Sequence, residues 1–125
     1  MTNQFDYNIN LDNKFGYLKL IDIPLIASQV KERWFNQTLT QVNDCVVRLG
    51  IFKQGEFHWH KHDNEDEFFF VLEGALIIDL EDKTVTLNLH QGFTIPKGVL
   101  HKTRVSQPTQ VLMIEGSSVK PTGDN

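Results

Sequence analysis

From Asp44 onward the chain is a succession of short apolar runs, each stopped by turn-forming residues after about eight to twelve positions, a spacing that suits strands and leaves little room for helices. Within Thr84 to Leu89, Val85, Leu87 and Leu89 alternate with Thr84, Thr86 and Asn88, giving one apolar and one polar face. Ala75 to Leu80 puts Leu76, Ile78 and Leu80 on one side, and Glu81-Asp82-Lys83 is short enough to close a hairpin between the two runs. The same reading predicts strands at Asp44 to Phe52, Gly55 to His62, Glu67 to Leu72, Phe93 to Ile95, Leu100 to Val105 and Gln110 to Glu115. Gly50, Gly55, Gly74 and Gly92, with Pro96-Lys97-Gly98 and Gln107-Pro108, supply the turns.

The first forty residues differ. Leu25, Ile26, Val30 and Trp34 recur at helical spacing after Pro24, a residue suited to the first turn of a helix, so one short helix is predicted there. The small, polar, Gly- and Pro-bearing stretch from Ser117 to Asn125 reads as frayed. No repeat or linker divides the 125 residues, and 40% hydrophobic content is enough for one core. The expected organisation is an N-terminal extension with its helix (1–43) packed on a barrel (44–116), followed by a flexible tail (117–125).

A formal net charge of -4 with no basic patch argues against nucleic acid or an anionic membrane as partner. Cys45 is the only cysteine, which excludes an intramolecular disulfide and a thiolate zinc cluster; flanked by Val46 and Val47, it is expected to be a buried, inert thiol. The N-terminal stretch lacks a charged start followed by an apolar core, and no run has the length to span a bilayer, so a cytoplasmic location is expected.

All five histidines follow position 57, and three of them alternate in Glu56-Phe57-His58-Trp59-His60-Lys61-His62. In an extended strand, residues two apart share a face, so His60 and His62 can present imidazole nitrogens to one point while Trp59 and Lys61 face away. Neutral imidazole is the commonest protein ligand of transition metals. After the polar turn Asp63-Asn64-Glu65-Asp66, Glu67 opens the apolar run Phe68-Phe69-Phe70-Val71-Leu72, where a carboxylate is costly unless paired. A second segment, Gly92 to His101, sets a strand, a Pro-x-Gly turn and another histidine in order. Three nitrogens and one oxygen would leave one or two positions open on a six-coordinate ion.

These two segments resemble the motifs of the cupin superfamily, in particular the small single-domain cupins described as mannose-6-phosphate-isomerase-like. His60, His62, Glu67 and Gly74 match the first cupin motif, and Pro96, Gly98 and His101 match the second; the string Asp66 to Gly74 is also shared by similar proteins. The departures are Gly55 and Gly92, each nearer its motif than in the older consensus, and Val105 where an asparagine is usual. The resemblance covers about Gly50 to Glu115. It implies an all-β double-stranded β-helix, that is, a jelly-roll barrel, with the three histidines and Glu67 as ligands of a divalent transition metal: manganese, iron, nickel, cobalt, copper or zinc.

Two functions follow as expectations. One is an enzyme, a metal-dependent isomerase or dioxygenase, acting on a small oxygen-rich molecule, sugar-like or a carboxylate; the other is a non-catalytic module binding such a ligand with or without metal. His58 shares the parity of His60 and His62, and reads either as a residue of the cavity mouth, an extra ligand or a proton carrier, or as a partly exposed strand end. His90 is placed in a solvent-facing turn, Glu65 and Asp66 are turn residues, and Lys97 and Lys102 are solvated. Phe69 and Val71 face the pocket, whereas Phe68, Phe70 and Leu72 need cover from a second sheet, the N-terminal segment or another subunit. A homodimer is expected, although a sandwich-core strand in a monomer reads the same way.

Overall fold

A computed structural model of the chain describes residues 7–124. Among them are ten strands and one helix: β1 (Tyr7–Asn10), α1 (Ile23–Gln29), β2 (Trp34–Val42), β3 (Cys45–Phe52), β4 (Gly55–Glu56), β5 (Glu67–Glu73), β6 (Leu76–Leu80), β7 (Thr84–Leu87), β8 (Gly92–Ile95), β9 (His101–Val105) and β10 (Thr109–Gly116). They form a six-stranded sheet in the order β1-β2-β3-β10-β5-β8 and a four-stranded sheet in the order β4-β9-β6-β7. After β3 the chain crosses repeatedly between the two sheets, with only the β6–β7 hairpin staying in one. This is the expected all-β double-stranded β-helix barrel with one short helix.

Alternation within the strands fills the interior. Phe69 and Val71 of β5, Val111 and Met113 of β10, Leu76 and Ile78 of β6 and Ile95 of β8 join Trp34, Phe52, Phe57, Leu87 and Val105 in one buried cluster. Burying such side chains is the main stabilising term, roughly 1.5–3 kcal/mol for each large one. The outer face of the larger sheet carries a second cluster, Phe35, Leu39, Leu49 and Ile51, covered by Ile26 of α1 and flanked by Phe15, Ile21 and Ile23. Leu72 packs against this cluster, and Phe68, Phe70 and Leu72 are all half-buried.

The helix is where Pro24 indicates, with Asp22 as its N-cap accepting from the Leu25 N–H at 3.1 Å, but it ends at Gln29. Trp34 is not helical: it opens β2, which pairs with β3 from Trp34↔Phe52 to Val42↔Cys45. Leu25 and Ile26 are helical as predicted, whereas the continuation of their spacing to Val30 and Trp34 was coincidental. In β2 the inward residues include Asn36 and Thr38, so the usual sign of a strand, an apolar inner face, is missing. Two further readings are corrected. Leu89 lies in the turn after β7 and is exposed, because the chain reverses at His90, which adopts φ 65°. Cys45 is exposed, since it occupies the outermost end of β3 rather than its middle.

Candidate metal centre

The segment predicted as a strand from Gly55 to His62 pairs regularly only at Gly55 and Glu56, then runs irregularly until His60 forms an isolated antiparallel bridge with His101. Reciprocal backbone hydrogen bonds of 2.9 Å between those two residues put their side chains on the same inner face. Beyond the bridge, the His62 carbonyl accepts from the Gly98 N–H at 2.7 Å, and Asp66 Oδ1 accepts from the Lys97 N–H at 2.9 Å. The two histidine-bearing segments are thus fastened at three places. Glu67 arrives from the other sheet as the first residue of β5. Gly74 ends that strand at φ 80°, and a Cβ there would collide with the Pro108 carbonyl, so only glycine fits the turn.

His60, His62, Glu67 and His101 are all buried, and each contributes one potential ligand atom to a set lying within 4.8 Å of one another. Glu67 Oε1 is 3.2 Å from His101 Nε2 and 3.4 Å from His62 Nε2. The imidazoles are oriented by the backbone: His60 Nδ1 donates to the His58 carbonyl and His101 Nδ1 donates to the Val99 carbonyl, both at 2.9 Å. A carbonyl only accepts, so the proton sits on Nδ1 and the lone pair of Nε2 is free. Glu67 Oε1, His101 Nε2 and both ring nitrogens of His62 are buried without a hydrogen-bond partner. Buried polar atoms left this way are destabilising by roughly 1–3 kcal/mol each, and a cation bound among them would satisfy them together. The donor set therefore fits a divalent transition metal.

The electrostatics agree with that donor set. Burial lowers the His60 pKa to about 4, which keeps this imidazole neutral at ordinary pH. For His62, burial pulls downward but is outweighed by the neighbouring Glu67 carboxylate, with Asp124 and Glu65 adding to it, so its pKa is raised. For Glu67, burial would favour the acid, yet the adjacent imidazoles of His101 and His62 prevail and hold the carboxyl far below its usual range.

Several polar residues that sequence reasoning passed over stand behind this group. Glu115 of β10 lies opposite Glu67 in register and is only 3% exposed, with neither carboxyl oxygen hydrogen-bonded. Burial, reinforced by the charge of Glu67, raises its pKa to about 9. Arg48 of β3 is also buried and donates to Thr38 and Asn36 of β2; burial lowers its pKa against the opposing pull of Glu115 and Glu67. A signal existed for both: Glu115 has the parity of Val111 and Met113, and Arg48 interrupts an apolar run.

The segment after Gly116, which composition marks as loose, is packed against the mouth of the site. His58 Nε2 donates to the Thr122 carbonyl at 2.7 Å, the Asp124 N–H donates to the Lys61 carbonyl at 2.8 Å, and Asp124 Oδ2 accepts from the Asp63 N–H at 2.7 Å. Gly123, at φ 91°, lies so close on His60 that a Cβ would collide with that side chain. His58 is accordingly exposed at the mouth and engaged by this strap, while His90 is exposed and stacks on Phe70. Glu65 is buried and accepts from Ser118, more than a turn residue needs. Lys102 is partly buried, pairing with Glu56 at 2.6 Å and lying over the Trp59 ring, whereas Lys97 is exposed as expected.

Comparison with known proteins decides the family. The cupin domain family matches residues 47–115, more than half of the chain. The protein belongs to the cupins. It is 44% identical over 98 residues to YdbB of Bacillus subtilis (strain 168), a match covering 78% of this chain and 86% of that protein. A cupin-2 domain containing protein from Shewanella frigidimarina NCIMB 400 is similar in structure, with a TM-score of 0.72 and 33% identity over 78% of this chain and 94% of that one. BH2720 from Bacillus halodurans shares the fold at a TM-score of 0.69 and 18% identity, covering 90% of each chain. Among the described residues of this cupin, no helix is long and apolar enough to cross a membrane.

Proposed function

We propose that this cupin binds a divalent transition metal through His60, His62, Glu67 and His101, and that the metal, with the interior behind it, binds and acts on a small oxygen-bearing molecule. The observation that carries the reading is the convergence of four buried donor groups, three of which hold ring or carboxyl atoms with no other partner. When bound, such a metal supplies Lewis acidity toward a ligand oxygen, as an isomerase or a dioxygenase requires. The chain's own residues do the rest. The His58 and Val99 carbonyls fix the tautomer and direction of His60 and His101, and the low pKa of His60 keeps it a neutral donor. Mannose-6-phosphate-isomerase-like grouping belongs to the same proposal, supported by the string Asp66 to Gly74.

A cytoplasmic homodimer completes the reading. The half-covered Phe68 and Phe70 and the exposed Ile114, neighbours on the outer face of β5 and β10, are the surface a second copy would cover. The test of function is elemental analysis of untagged protein purified without chelator, alongside His60→Ala and His101→Ala. One equivalent of metal in the parent and a loss of most of it in both variants is the expected result. Equal content in all three would refute the site.

A further inference from the structure

Two of the three histidines in the metal centre are fixed through their rings and one is not. His60 Nδ1 and His101 Nδ1 each donate to the carbonyl two residues earlier, that of His58 and that of Val99, at 2.9 Å. The same anchor for His62 would be the His60 carbonyl, but that oxygen accepts from the His101 N–H at 2.9 Å in the bridge between the two segments. Both ring nitrogens of His62 are buried without a hydrogen-bond partner. The direction of this imidazole is therefore set by its backbone, and ties to that backbone come from two segments. The His62 carbonyl accepts from the Gly98 N–H at 2.7 Å. Asp124 brackets the residue: its N–H donates to the Lys61 carbonyl at 2.8 Å, and its Oδ2 accepts from the Asp63 N–H at 2.7 Å. The Lys61–Asp63 ion pair also spans His62, but its side chains are 38% and 45% exposed, where such a pair contributes little.

We propose that Asp124 is a positioning residue for the metal centre: by bonding the peptide groups on both sides of His62, it holds that imidazole toward the point shared with His60, Glu67 and His101. Metal affinity depends on such support, because a ligand that must be ordered when the ion arrives loses conformational freedom that a pre-set ligand has already lost. His62 is where the support matters, since its ring alone of the three has no hydrogen bond to a carbonyl. Asp124 reaches this place because Gly123, at φ 91°, lies against His60 with no Cβ to collide. The task needs the Asp124 backbone N–H and one acceptor oxygen, so a carboxamide can perform it nearly as well as the carboxylate. The inference deepens the metal-site reading and rests on it for the identity of the bound group, not for the placement of His62.

The probe is zinc. Its dissociation constant is measured by competition with a chromophoric chelator for the parent, Asp124→Ala, Asp124→Asn, His62→Ala and the double variant His62→Ala with Asp124→Ala. Nitrogen NMR of labelled histidine then compares the imidazole signals of the metal-free parent and Asp124→Ala. Asp124→Ala is expected to weaken zinc binding about tenfold, and Asp124→Asn to stay within about threefold of the parent. In the His62→Ala background, Asp124→Ala is expected to add less than about twofold, because the residue it positions is gone. Without metal, Asp124→Ala is expected to shift and broaden the His62 ring signals while those of His101 stay in place. Zinc affinity and His62 signals both unchanged in Asp124→Ala would overturn the proposal and leave the metal reading standing. A full tenfold loss in the His62→Ala background would also overturn it, because Asp124 would then act elsewhere. A parent that binds no zinc, while Asp124→Ala still moves the His62 signals, would support the positioning role and refute the metal reading.

Discussion

At one end of the barrel interior Val71, Leu76, Ile78 and Val111 are 0% exposed and form part of one apolar cluster; at the other, on the same strands β5 and β10, Glu67 and Glu115 are 5% and 3% exposed with carboxyl oxygens that lack partners. Strand alternation alone places both sets inside, since Glu67, Phe69 and Val71 share one parity and Glu115, Met113 and Val111 share another. The difference lies in what each end contributes. The apolar end stabilises the fold through burial and packing, whereas the polar end opposes folding until something binds there. A chain that keeps such an end is organised around a ligand.

The largest break of this contrast comes from the apolar end. Ile78→Ala should cost about 3–4 kcal/mol, read from urea unfolding, because the cavity it leaves has little around it free to collapse, and the metal content of the folded fraction should not change. A smaller effect, of opposite kind, is expected at Glu115 in metal-free protein. Its folded pKa of about 9 lies above the 4.5 of an ordinary glutamate, so its contribution is fully present below pH 4.5 and is lost as pH rises toward 9. Unfolding measured at pH 5 and pH 6.5 should show the parent losing on the order of 2 kcal/mol relative to Glu115→Gln, which has no such titration. If the two proteins have the same pH profile, the carboxyl is not buried in the way described.

The smallest effect concerns the strap. Gly123→Ala places a methyl group where His60 already lies and forces an L-residue to φ 91°, so the strap should lift at a cost of about 1 kcal/mol and leave the barrel intact. Hydrogen exchange at the Asp124 amide, which donates to the Lys61 carbonyl, should then accelerate while that of Val71 stays unchanged. Unchanged exchange at Asp124 would mean that the strap is not seated on His60.

The fold and the four residues that converge within it were legible in the sequence because both rest on local signals. Apolar alternation marks β6 and β7, and the spacing of His60, His62, Glu67, Gly74 and Pro96-Lys97-Gly98-Val99-Leu100-His101 is a matter of a few residues each. What was not legible depends on contacts distant in sequence. β2 was hidden because its inner face carries Asn36 and Thr38, whose partner Arg48 lies on β3. The strap was hidden because small polar residues look loose until Lys61 and His58, some sixty positions earlier, supply their hydrogen bonds. Cys45 and Leu89 misled for one reason: both follow the alternation of their neighbours, but they sit where pairing ends.

The most direct measurement of the central claim is X-ray absorption at the metal edge of the protein loaded with one equivalent of zinc. The account predicts a shell of nitrogen and oxygen atoms at about 2.0–2.2 Å with the outer-shell scattering of three imidazoles, reduced to two in His101→Ala. Scattering without imidazole signatures, or a spectrum that His101→Ala leaves unchanged, would contradict it.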